Sequence, residues 1–154
     1  MKRQEIINQL KPYFKTHELV CPHVLQRWGD QSWRFLSTEF LHNLLIIRRD
    51  ILKAAMTCNN YHARGSFSQR GLRCNLCQIV SDYSKQGKLT TMPHVLGEGG
   101  DFSIFGMTAT EARKCIIENA QLLPYPIRME DGVTWLHWDV LDCMNGQKIT
   151  LFKP

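Results

Sequence analysis

Two histidines and an aspartate define the chemistry open to this chain. His94 lies in Met92-Pro93-His94-Val95-Leu96-Gly97-Glu98-Gly99-Gly100-Asp101, which places an acid seven positions later at the start of an apolar run. His137 follows in Trp135-Leu136-His137-Trp138-Asp139. Imidazole nitrogen and carboxylate oxygen suit zinc, and three such ligands leave one coordination position open. Gly97 and Gly99 let the backbone turn closely, so that His94 and Asp101 can converge. Each histidine also has a plainer reading, as a hydrogen-bonded core or surface residue.

The elements that must position these groups follow from periodicity. Ile6, Ile7 and Leu10 predict a first helix within Lys2 to Phe14, stopped by Pro12. Thr16 to His23 reads as a short turn or helix start, and Trp28-Gly29 with Trp33 as a loop over a groove. Ser37 to Ala55 is the strongest helix: Phe40, Leu41, Leu44, Leu45, Arg48, Ile51 and Leu52 share a stripe, with Ser37 or Thr38 as N-cap. Met56 to Asn60 predicts a brief buried strand, and Leu76 to Tyr83 a short helix. Phe102 to Phe105 alternates as a strand. Thr108-Ala109-Thr110-Glu111 is a capping box that opens a helix to about Gln121, with Ala112, Cys115 and Ile116 inward.

Three strands follow, at Ile127–Met129, Val133–Val140 and Lys148–Phe152, expected to be antiparallel. Glu130-Asp131-Gly132 and Asn145-Gly146 join them, the second as a hairpin signal. Alternation in the middle strand puts Trp135, His137 and Asp139 on one face, with Thr134, Leu136 and Trp138 on the other. Helices first, then a small antiparallel sheet with an inserted helix, predict an α+β fold. The 154 residues suit one domain, 1–154, with its core at roughly 16–152.

A net charge of +5 is a mild basic excess, carried by scattered Lys and Arg, and reads first as a solvated surface. No apolar run reaches membrane-spanning length. Met1-Lys2-Arg3-Gln4-Glu5 does not open a signal peptide, so synthesis and folding in a cytoplasm are expected. Six cysteines in such a chain argue for thiols over a disulfide framework. Cys74-Asn75-Leu76-Cys77, together with Cys21 and His23 or with Cys58, can also be read as a structural zinc site, although a single Cys-x-x-Cys pair is a thin signal. The polar loop from Asn59 to Asn75 carries His62, Arg64, Arg70 and Arg73. His62 reads either as an extra polar group at the site or as a solvated loop residue. The loop lacks a nucleic-acid motif, and Arg70 and Arg73 suit a peptide carboxylate equally well.

His94-x-x-Gly97-x-Gly99-x-Asp101, followed by Trp135-Leu136-His137-Trp138-Asp139-Val140, resembles the zinc D-Ala-D-Ala carboxypeptidase-like peptidases of the hedgehog/DD-peptidase fold. In that family Ser-x-His-x-x-Gly-x-Ala-x-Asp supplies two zinc ligands, and a later His in an aromatic-flanked strand supplies the third. Gly71-Leu72-Arg73 is similar to its Ser-Gly-Tyr-Arg turn, whose Arg helps bind substrate, and His17-Glu18-Leu19-Val20-Cys21 to its early Glu-Leu segment. The resemblance runs from about Glu18 to Val140 and is nearest to the small phage and prophage members. It implies Zn2+ on His94, Asp101 and His137, with Arg73 and Arg70 at the substrate. Met92 and Gly99 replace the family's Ser and Ala. Thr134 stands where many members carry a catalytic acid, three residues before the last histidine. A zinc peptidase needs a base to take a proton from the attacking water and return it to the leaving amine. Asp131, which matches an acid position of other branches, and Glu130 are the first candidates. Asp139 is a third, or else orients a histidine.

The expected function is therefore a monomeric zinc metallopeptidase cleaving peptidoglycan stem peptides, as carboxypeptidase or endopeptidase. It would reach the cell wall by a separate route, as phage lysins do. A non-catalytic virion or cell-wall-binding protein on the same fold is the alternative that Thr134 favours. A small nucleic-acid-binding protein with a cysteine zinc site rests on charge and Cys74/Cys77 alone.

Overall fold

The computed structural model describes residues 1–141 and 143–154 and is an α+β fold. Helix α1 (Arg3–Leu10) buries Ile6, Ile7 and Leu10. Together with Phe14 these residues join the main core. Two short helices, α2 (Thr16–Leu19) and α3 (Pro22–Trp28), lead into a 3-10 stretch, Gly29–Phe35, that buries Trp33. The Arg3 guanidinium ties this corner together: it donates to Thr38 Oγ1 at 2.8 Å and to the carbonyls of Trp33 and Leu36, each at 2.7 Å.

Helix α4 (Thr38–Ile46) starts where the Ser37 hydroxyl accepts from the Phe40 amide, satisfying a donor the first helical turn leaves free. Its stripe buries Phe40, Leu41, Leu44 and Leu45. Beyond Ile46 the expected helix widens into a π turn, Ile47–Ile51, which keeps Ile47 and Ile51 buried. Arg48 leaves the apolar stripe and lies over the Tyr13 ring, 4.7 Å from its centroid. Helices α5 (Gln78–Lys85) and α6 (Pro93–Leu96) follow. The capping box of α7 (Ala109–Glu118) forms as the sequence predicts: the Glu111 amide donates to Thr108 Oγ1 and the Glu111 carboxylate accepts from the Thr108 amide.

The strands are β1 (Met56–Thr57), β2 (Gly99–Ile104), β3 (Ile127–Glu130), β4 (Leu136–Asp139) and β5 (Ile149–Phe152). They form one sheet in the order β1-β2-β4-β3-β5. The β1–β2, β2–β4 and β3–β4 pairs are antiparallel, but β3 and β5 run parallel, so the sheet is mixed and not antiparallel throughout. A strand has two edges, and β4 has already given one to β2 and the other to β3. The chain leaving β4 therefore cannot fold back onto it and passes to the outer edge of β3. Asn145-Gly146 still turns the chain, with the Asn145 carboxamide accepting from the Gln147 amide, but it does not join a β4–β5 hairpin. The middle strand is also shorter than expected. Residues 131–135 form a turn in which the buried Arg113 donates to the carbonyls of Glu130, Val133 and Trp135.

Phe40 and Phe102 pack against Trp138, with ring centroids 4.7 and 6.1 Å away, so the inward face of β2 and β4 seals onto α4. Among the described residues no helix is long and apolar enough to cross a membrane.

Candidate metal centre

Strand register builds the site. Asp101 on β2 stands directly across from His137 on β4, and Gly99 stands across from Asp139. On the far side of β4, Asp139 faces Arg128 of β3. Because alternate residues share a face, Phe102, Leu136, Trp138, Ile127 and Met129 turn into the core, and Asp101, His137, Asp139, Arg128 and Glu130 turn to the other side. The absence of a side chain at Gly99 matters here, because a Cβ would sit 2.8 Å from the Cβ of Asp139.

His94 comes from α6, one turn of helix opened by Pro93 and closed by Gly97 in the left-handed region at φ +71°. A side chain at Gly97 would run into the backbone of Phe35, and the Gly97 carbonyl accepts from the Ser37 amide at 2.8 Å. The turn at Gly71-Leu72-Arg73 holds this helix from below. The His94 carbonyl accepts from the Arg73 amide at 2.9 Å, and His94 Nδ1 lies 2.9 Å from the Gly71 carbonyl. A carbonyl can only accept, so Nδ1 carries a proton and Nε2 is the nitrogen that faces the site. That nitrogen lies 3.4 Å from Asp101 Oδ2.

His137 is held from both sides: Nδ1 lies 2.7 Å from Asp101 Oδ1, and Nε2 lies 3.2 Å from Asp139 Oδ2. Asp139, wholly buried, accepts two bonds of 2.9 Å from Arg128 and a third from the Leu141 amide at 3.0 Å. It thus occupies the place of a partner that orients a ligand histidine. His94, Asp101 and His137 each offer a ligand atom, all within 4.8 Å of one another. A tetrahedral zinc with bonds of ~2.0–2.1 Å needs edges of about 3.4 Å. The His94–Asp101 separation already matches. The His137–Asp101 contact, at 2.7 Å, is at hydrogen-bond length and has to open by roughly 0.7 Å to reach that edge. Each imidazole has one nitrogen committed to an acceptor and the other turned toward the shared carboxylate, so the donor set fits zinc.

Electrostatics follows from these contacts. Burial by itself would depress His137, but hydrogen bonds to Asp101 and Asp139 and their charges push its pKa up to about 9. Burial would raise Asp101, yet bonds from His137 and His94 and the charge on both rings hold it well below the usual carboxylate range. Metal-free His137 is thus protonated at neutral pH, and a metal bound through its nitrogen would have to displace that proton. A folded pKa above the unfolded 6.5 gives stability that is complete below pH 6.5 and lost as pH rises through about 9. In metal-free protein, wild-type stability should fall by roughly 3 kcal/mol more than that of His137→Gln between pH 6 and pH 10. Urea midpoints of the two proteins read this difference, and parallel curves would show that His137 has no such coupling.

The trio lies in a cleft of about 500 Å³ that Glu130, Arg128, Trp135 and Phe152 also line. Arg73 reaches its floor, 3.4 Å from Asp101 Oδ2, and also donates to the Gln69 carbonyl and faces the Met92 sulfur. Arg70 lines an adjoining pocket, which shares Arg73, Ile79, Asp101 and Trp135 with the cleft. Its guanidinium sits 3.8 Å over the Phe67 ring and donates to Ser103 Oγ. Of the acids considered as a base, Glu130 and Asp139 both line the cleft, but Asp139 is committed to Arg128 and His137. Asp131 turns toward Arg113, 3.7 Å away, and borders a separate pocket with Thr134. The His62 ring lies tilted against His17, with centroids 3.5 Å apart, and does not line the cleft. Trp33 and Trp138 are core residues, whereas Trp135 lines the cleft.

Three functional groups escaped sequence reasoning: Arg128, Arg113 and the Gly71 carbonyl. Arg128 had a local signal, as a lone charge in the alternating run Ile127-Arg128-Met129-Glu130. Comparison of the chain with protein-family models, with curated proteins and with solved structures found no match.

Proposed function

We propose that the protein is a zinc-dependent metallopeptidase of the D-Ala-D-Ala carboxypeptidase-like kind, acting on peptidoglycan stem peptides. The observation that carries the reading is the convergence of His94, Asp101 and His137 in a cleft that also holds Glu130 and Arg73. Zinc bound there would polarise the scissile carbonyl and lower the pKa of a water molecule. Glu130 takes the proton from the attacking water and hands it to the leaving amine, the role that the acid missing at Thr134 has in the resembling peptidases. Arg73, reinforced by Arg70 in the adjoining pocket, binds a substrate carboxylate. Asp139 and the Gly71 carbonyl hold the two imidazoles in their ligand tautomers. As a monomer released to the cell wall, such a protein would serve as a phage-type lysin.

The test pairs metal analysis with chemistry. His94→Ala and His137→Ala should each lose one equivalent of zinc relative to wild type. Zinc-loaded wild type should release peptide fragments or free D-alanine from purified peptidoglycan, read by mass spectrometry. Unchanged zinc content in both variants overturns the site. Zinc-loaded but inert wild type overturns the peptidase reading in favour of a non-catalytic cell-wall or virion protein.

A further inference from the structure

Outside the cleft a second set of metal-binding side chains comes together. Cys21 is the residue before α3, and His23 lies in its first turn. Cys74 and Cys77 span the turn that leads into α5, with Cys77 at its N-cap. The Cys74 sulfur lies 3.7 Å from Cys21 Sγ, 3.9 Å from Cys77 Sγ and 3.6 Å from His23 Nδ1. Cys77 Sγ is 3.8 Å from the same nitrogen. All four ligand atoms fall within 4.8 Å of one another.

We propose that Cys21, His23, Cys74 and Cys77 hold a structural zinc ion, distinct from the one assigned to the cleft. A tetrahedron with zinc–sulfur bonds of ~2.3 Å has edges of about 3.8 Å. The four short separations match that edge and lie far outside the ~2.05 Å of a disulfide. Four protein ligands close the coordination shell, which is the mark of a structural site, whereas the cleft trio leaves a position open. The Cys74 amide points at Cys77 Sγ, 3.4 Å away, and so supplies the kind of backbone donor that stabilises a bound thiolate.

The surroundings give the ion a task. Cys21, Cys77 and Val80 form a small buried cluster separate from the main core, with Val24, Cys74 and Val95 against it, too few apolar residues to hold the 74–77 turn by burial alone. The segment 71–73 just before that turn meets the α2–α3 corner through a short parallel bridge, Val20 to Leu72. It carries Gly71 and Arg73, the residues that hold His94 from below. A zinc here fastens the support of the cleft without entering it, and the proposal stands whether or not the cleft is catalytic.

The experiment uses the whole protein, purified without chelator. The His94→Ala/His137→Ala double variant should retain one equivalent of zinc. Exchange with Co2+ should give a thiolate-to-cobalt charge-transfer band in the near ultraviolet together with intense tetrahedral d–d bands. In wild type, Cys21, Cys74 and Cys77 should react with a thiol reagent only after chelator is added. Cys74→Ser/Cys77→Ser should lose one equivalent and the charge-transfer band. If the substituted chains fail to fold, wild-type cobalt spectra and thiol counts decide the question alone. Free reactivity of the three thiols without chelator, a disulfide among them, or cobalt spectra lacking the thiolate band would each overturn the proposal.

Discussion

Glu130→Gln should lower peptide hydrolysis by the zinc-loaded protein by about 10²- to 10⁴-fold, the usual contribution of a positioned proton-transfer group. Its zinc content should not change, because Glu130 is not one of the three candidate ligand residues. Asp131→Asn, one residue along the chain, is expected to cost no more than a few-fold. Asp131 is turned to Arg113 in the turn after β3, and its loss removes a half-exposed ion pair of the kind worth about 1 kcal/mol or less. Initial rates on a defined stem peptide, with zinc measured on the same samples, separate the two. The reverse order, with Asp131→Asn dead and Glu130→Gln active, would move the base into the turn and require that turn to rearrange on substrate binding.

The second large effect is expected at Asp139. Burial alone would raise its pKa, but the bonds from His137 and Arg128 and the arginine charge keep the carboxylate ionised. Asp139→Ala leaves Arg128 without its partner, His137 Nε2 without an acceptor and the Leu141 amide without its bond. Breaking a buried pair in this way costs about 3–5 kcal/mol. Zinc affinity at the cleft should also drop by about 10- to 100-fold, since an orienting partner of a ligand histidine is lost. Denaturant midpoints measure the first effect and competition with a zinc chelator the second. A midpoint shift worth less than about 1 kcal/mol would mean that Asp139 is not the anchor its contacts describe. A double-mutant cycle with Arg128→Ala isolates the pair, because the two residues touch and their costs should not add.

What the sequence makes legible is local. Ser37 and the Thr108–Glu111 box are signals within one turn, and both caps form. The spacing from His94 through Gly97 and Gly99 to Asp101 encodes one bend, and the bend brings the histidine to the acid. Parity errors arise where a boundary shifts by one residue. Ending the strand at Met129 leaves Glu130 in the turn beside Asp131, but continuing it by one residue puts Glu130 on the face of Arg128, toward the cleft. Non-local pairing is harder still. The Arg128–Asp139 bond depends on which strands become neighbours, and so does the parallel placement of β5. Cys21 and His23 lie some fifty residues before Cys74, and their meeting depends on the Val20–Leu72 bridge, which no local spacing encodes.

The parallel β5 strand has a consequence for how the molecule breathes. β4 is held along both edges, but β5 hangs from β3 alone and is only partly buried. Phe152, at its end, stands edge-on to His137 and beneath the Arg128 guanidinium, so β5 supplies one wall of the cleft. Detaching an edge strand breaks one ladder, whereas opening β4 breaks two and uncovers Trp138. Local opening therefore costs less at the wall than at β4, where His137 and Asp139 sit. The cleft can widen for a bulky chain while the His137–Asp101 register that would grip a metal stays closed.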